Sequence, residues 1–142
     1  IVSRDWSSDV CSSDLEKFIW DNKYSVGHPL IDHQHRSLMG IVNELVELSE
    51  EKAPSSSKYI NILMQLDEYV HTHFKAEEIL MTQVGYPDLV QHLSIHGALS
   101  DQASRLIMNI NIDDLNSTVQ FLVEWLEQHI MVEDMKFKHY VS

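Results

Sequence analysis

The chain has 142 residues, 44% of them hydrophobic and 23% charged, the composition of one soluble globular domain with room for a sizeable core. Asp and Glu outnumber Lys and Arg by 22 to 10, and the formal charge of −12 would repel the phosphate backbone of a nucleic acid. No apolar run approaches the roughly 20 residues of a membrane helix, so neither nucleic-acid binding nor a membrane span is expected.

The lone cysteine, Cys11, cannot close an intramolecular disulfide, which points to a reducing, cytoplasmic setting. Arg4 to Leu15 resembles a translated sequencing-library adapter joined to a genuine reading frame. Residues 1–15 are therefore expected to be a non-native tail and residues 16–142 the domain.

From Phe18 to Pro29 apolar residues mix with Gly27 and Pro29 without helical period, which predicts an ordered N-terminal arm. Asp32 offers an N-cap, and Leu38, Ile41, Val42, Leu45 and Leu48 follow at spacings of three and four, so a first helix is expected to about Lys52. Pro54 and the serines after it open a second helix with a stripe through Tyr59, Leu63, Leu66, Phe74 and Val84. Gly85 ends it, and the turn from Gly85 to Asp88 starts a third. The third helix carries the most regular seam, Leu89, His92, His96, Leu99, Ala103, Leu106 and Ile110. After a turn over Asn111–Asp114, a fourth carries Leu115, Val119, Leu122, Leu126, His129 and Ile130. Four long amphipathic helices joined by short loops bury these stripes best as an all-α, up-and-down antiparallel four-helix bundle.

Histidine is over-represented, with nine against ten Lys and Arg, and several sit where the seams call for Leu or Ile. His73 and Glu77, like His92 and His96, are four apart and so project from one helix face. With His35 and with His129 and Asp134, every helix contributes polar side chains to the bundle interior. Burying them unpaired would cost several kcal/mol collectively, and a shared metal centre satisfies them together. His28, His33, His71 and His139 are read as surface or arm residues, and Met39, Met81 and Met131 as packing.

Val26-Gly27 through Asp32-His33-Gln34-His35, then His73-Phe74-Lys75-Ala76-Glu77-Glu78, then Gly85-Tyr86-Pro87-Asp88 with His92 and His96, and finally Trp125 to His129 with Asp134 resemble the hemerythrin family, in particular its bacterial members. The resemblance spans residues 18–140 and implies a non-haem Fe–O–Fe centre of two iron ions with O2 as ligand. It assigns His92, His96 and His129 to one iron, His35 and His73 to the other, and Glu77 and Asp134 as bridges, with an open position on the second iron. Phe74, Trp125, Leu126, Ile130 and Leu38 resemble the apolar lining of the family's oxygen pocket, where a dry wall protects bound oxygen. One spacing is irregular: Asp134 is five residues from His129, about 140° round an ideal helix, whereas Glu133 is four away. The family pattern selects Asp134. The implied function is reversible O2 binding for storage, delivery or scavenging in a bacterial cytoplasm, not enzymatic turnover. The alternative is an oxygen-sensing domain from a larger signalling protein. No protein partner is indicated.

Overall fold

The computed structural model describes residues 17–141; the expected non-native tail, with Cys11, lies outside the described residues. An N-terminal arm leads into α1 (Pro29–Ser49), α2 (Ser56–Val84), α3 (Leu89–Met108) and α4 (Leu115–Gln128). A π turn (His129–Glu133), a 3-10 turn (Asp134–Phe137) and the single-turn α5 (Lys138–Val141) complete it. The four long helices form the expected bundle, and no strand occurs among the described residues.

The arm is fixed by side chains of α1. Asn43 accepts the Phe18 backbone N–H at 2.7 Å and donates to the Phe18 carbonyl at 2.9 Å, while the Arg36 guanidinium lies 4.5 Å from the centre of the Trp20 ring. Asp32 is not the N-cap expected from sequence. The helix begins four residues earlier, at Pro29, whose fixed φ suits a first helical position. Asp32 instead accepts the Ser25 hydroxyl at 2.6 Å and the Val26 N–H at 2.8 Å, tying the arm to the first turn, where its charge also complements the helix dipole. The helix stops at Ser49 rather than near Lys52.

Ser55 caps α2 by accepting the Lys58 N–H at 3.3 Å. Gly85 ends it in the left-handed region at φ 68, with Tyr86 N–H donating to the Met81 carbonyl and Gly85 N–H to that of Thr82, the paired bonds of a Schellman stop. Leu38, Val42, Leu45 and Val46 of α1, Leu63, Leu66 and Val70 of α2 and Val119, Leu122, Val123 and Leu126 of α4 form the main core. A smaller cluster of Met81, Tyr86 and Phe137 lies apart from it.

The third helix departs from its pattern. Only His92 and His96 are buried on α3, while Leu89, Leu99, Ala103 and Leu106 are half-buried and Ile110 lies beyond its end. This helix packs mainly against α2, whereas α1 contacts both α2 and α4. Leu99, Ala103 and Leu106 border a cavity shared with Leu66 and Val70 of α2 and Leu122 and Trp125 of α4, which leaves the seam half-buried.

Candidate metal centre

His35, His73, Glu77, His92, His96, His129 and Asp134 all converge in the bundle interior, and none exposes more than 3% of its surface. The helical pairs explain four of them, since His73 and Glu77 on α2 and His92 and His96 on α3 are each one turn apart. The π turn explains two more. The Asp134 N–H donates to the His129 carbonyl five residues back, a wider turn than the α-helical bond to the fourth, and it brings Asp134 over His129. Glu133 stays partly exposed and pairs with Lys136 at 3.4 Å.

All five imidazoles present Nε2 inward. One oxygen of Glu77, Oε2, lies 3.3 Å from His73 and 3.6 Å from His35, while Oε1 lies 3.1 Å from His96 and 3.6 Å from both His92 and His129. Asp134 Oδ2 accepts from His35 at 2.7 Å and lies 2.9 Å from His129 Nε2, and Oδ1 lies 3.4 Å from His92. Glu77 thus offers its two oxygens to different sets of histidines, whereas Asp134 Oδ2 takes His35 together with His129 and leaves Oδ1 to His92. Ligand atoms of His35, His73, Glu77, His129 and Asp134 lie within 4.8 Å of one another, as do those of Glu77, His92 and His96. His129 stands between the sets: Glu77 groups it with His92 and His96, whereas its Nε2 is 3.2 Å from that of His73.

Electrostatics and unmet hydrogen bonds both ask for a cation. Burial opposes ionisation of Glu77, but the charges of His73 and His129 and the nearby His35 ring hold it well below the usual carboxylate value. Burial and the Glu77 charge oppose ionisation of Asp134 as well; His129 and His35 override them and hold its carboxyl low. In return, and against their own burial, His73 is pushed up to about 10 and His92 to about 9 by the two carboxylates. His35 is raised likewise, while burial dominates at His129 and lowers it. Even so, both Glu77 oxygens, Asp134 Oδ1 and Nε2 of His92 and His96 are buried without a hydrogen-bond partner. Orphaned acceptors of this kind are rare in folded interiors. Imidazole and carboxylate together suit iron, so the donor set fits a pair of such ions.

Aromatic rings wall the cluster. Phe74 stacks on His96 with centroids 3.8 Å apart, and Trp125 lies parallel to His129 at 5.7 Å. Leu38, Leu126 and Ile130 beside them are buried. Sequence reasoning missed two residues on the outer side of the histidines: Gln34, which accepts from His73 Nδ1 at 2.9 Å, and Glu78, which accepts from His96 Nδ1 at 2.8 Å. Their signal was adjacency, since each is the chain neighbour of a candidate ligand. Of the remaining histidines, His33, His71 and His139 are exposed, His28 is half-buried, and none joins the cluster.

The family model of the hemerythrin HHE cation binding domain matches residues 26–141. The bacteriohemerythrin of Clostridium acetobutylicum is 29% identical over 126 residues, covering 84% of this chain and 98% of that protein. A hemerythrin-like protein of Naegleria gruberi is 31% identical over 121 residues, covering 85% and 91%. The crystal structure of wild-type hemerythrin superposes with a TM-score of 0.75 at 25% identity, covering 88% of this chain and 98% of that one. Fold and site define a two-metal four-helix bundle whose donors are mostly imidazole. The chain belongs to the hemerythrin family, and its cofactor is a pair of non-haem iron ions.

Proposed function

We propose that this protein binds O2 reversibly at a di-iron centre held by His35, His73, Glu77, His92, His96, His129 and Asp134. The observation that carries the reading is the convergence of these seven buried side chains, with five of their donor atoms unpartnered, in a chain of this family. His92, His96 and His129 serve one iron and His35 and His73 the other, with Glu77 and Asp134 between them. The split oxygens of Glu77 support this division, and the proximity of His129 to His73 is the contact that iron would have to part. Iron held by these residues would supply the electrons that hold O2.

The chain's own side chains do the rest. Leu38, Phe74, Leu126 and Ile130 line the interior beside the ligands with apolar surface, which keeps water and its protons from a polarised guest. A centre rich in neutral imidazole and poor in carboxylate favours binding over oxidation of a substrate, so a carrier is expected rather than an enzyme. The domain is residues 16–142, and storage, delivery or scavenging in a bacterial cytoplasm is the setting; the bacterial relative supports it. Among the described residues no helix is long and apolar enough to cross a membrane. Reconstitution with ferrous iron without air, followed by admission of air, tests the reading. Two irons per chain and a visible band that vanishes on deoxygenation are expected; a colourless, oxygen-indifferent protein would overturn it.

A further inference from the structure

The outward Nδ1 atoms of the five histidines are treated unequally. His96 donates to the Glu78 carboxylate at 2.8 Å and His73 to the Gln34 amide at 2.9 Å. His35 and His129 find no partner for Nδ1 within the buried interior. His92 borders a small polar pocket lined by Tyr86, Asp88, Gln91, Glu133 and Lys136. A charged acceptor thus stands behind one ring and a neutral one behind another.

We propose that Glu78 and Gln34 are positioning residues that make the two irons electronically unequal, with the Glu78 carboxylate biasing the His96 iron toward the ferric state and the Gln34 amide leaving the His73 iron more easily ferrous. The inference rests on the di-iron reading and on the placing of His96 and His73 on different ions. A carboxylate pulling on Nδ1–H gives the imidazole part of the character of its anion, so Nε2 donates more strongly and stabilises the higher metal charge. An amide oxygen carries no net charge and does this far less.

Both residues are built to hold. Gln34 is buried and reaches from α1 to a ring on α2, and Glu78 reaches from α2 to a ring on α3. Phe74 lies flat against the same His96 ring, at 3.8 Å and 5°, and fixes its plane. Because Gln34 precedes His35 and Glu78 follows Glu77, the helical turns that aim the ligands also aim their supports. The adjacent carboxylates Glu77 and Glu78 of α2 therefore have separate duties: Glu77 faces inward among the histidines and Glu78 tunes one iron from behind.

Glu78→Gln and Gln34→Glu, each in the iron-loaded full chain, are the informative substitutions, because an amide oxygen can still accept the hydrogen bond while the charge is moved. Iron per chain is measured first, then the reduction potentials of the two one-electron steps. With two irons retained, Glu78→Gln is expected to shift the ferric-to-ferrous ratio about tenfold toward ferrous, ~59 mV upward for a one-electron step. It should also slow autoxidation of the ferrous protein, while Gln34→Glu shifts both the other way. Should Gln34→Glu fail to fold, since Gln34 is buried, Glu78→Gln at a partly exposed site decides alone. Potentials equal to those of the unsubstituted protein in a variant carrying two irons overturn the proposal. Failure of the unsubstituted chain to take up iron overturns instead the reading on which it rests.

Discussion

Freed of iron, the protein should be most stable near pH 6.5 and lose stability as the pH rises, whereas the iron-loaded protein should not. The two carboxylates push His73 up to about 10 and His92 to about 9, so the folded iron-free chain keeps protons that an unfolded chain, titrating near 6.5, has released. A raised histidine stabilises fully below its unfolded value, and that contribution disappears as the pH climbs through the folded one. Each proton held by the folded state alone is worth about 1.4 kcal/mol per pH unit. His73 and His92 lean on the same carboxylates, so counting one proton gives about 3 kcal/mol between pH 6.5 and 9. That is a large share of the 5–15 kcal/mol typical of a domain, and about 10 °C in Tm at this size. On the acid side the sign reverses. His129, which burial pushes down, costs stability below 6.5, and the contributions of Glu77 and Asp134, both held low, fade as the pH drops below the ordinary carboxylate range. Iron held by the Nε2 atoms would leave no such proton to lose. Thermal unfolding of the chelator-stripped and the iron-loaded chain across pH 5.5–9.5 measures this. A Tm of the stripped protein that stays level from 6.5 to 9 would refute the charge pairing.

Asp134→Asn should leave fewer than two irons per chain by metal analysis, and Glu133→Gln should load fully; the opposite pattern would move the bridge to Glu133. Iron removal should speed hydrogen exchange in α3 more than in α1, because only His92 and His96 of α3 are buried; equal acceleration in both helices would contradict this. Gly85→Ala should cost about 1 kcal/mol in denaturant unfolding, from the left-handed φ of 68 alone, since nothing lies within 4 Å of the added methyl. Leu45→Ala, in the main core and fully buried, should cost about 2–5 kcal/mol with iron stoichiometry unchanged.

Periodicity carried the bundle because each helix keeps three- and four-residue spacing over several turns, and it located Gly85 because only a left-handed residue closes that stop. It misplaced the start of α1 because Asp32 has two possible duties that look alike in sequence: capping its own helix, or accepting Ser25 and Val26 from the arm. Pro29 was the better signal. On α3 the regular seam misled in another way, since period says which face turns inward but not how deep it goes; Leu99 and Leu106 end half-buried. Gln34 and Glu78 were legible only as neighbours of ligands, because a side chain that acts on a ring from another helix leaves no spacing of its own.

The pairing of His129 with Asp134 depends on geometry that ideal-helix arithmetic contradicts. Were α4 to continue unbroken, Glu133 would share the face of His129 and Asp134 would turn about 140° away. Widening one turn from the fourth to the fifth residue exchanges them. The exchange also changes the length of the acid, since Asp is one methylene shorter than Glu and its carboxylate needs the backbone closer to the cluster. The 3-10 turn that follows, Asp134–Phe137, tightens the chain again and delivers Phe137 against the His92 ring at 6.3 Å and 18°. One loosened and one tightened turn therefore set a short acid beside His35, His92 and His129 and close the far side of the site with an aromatic ring. Wide turns of this kind recur at functional sites. Here the reason is local: the turn supplies a fifth-residue spacing that a regular α-helix does not.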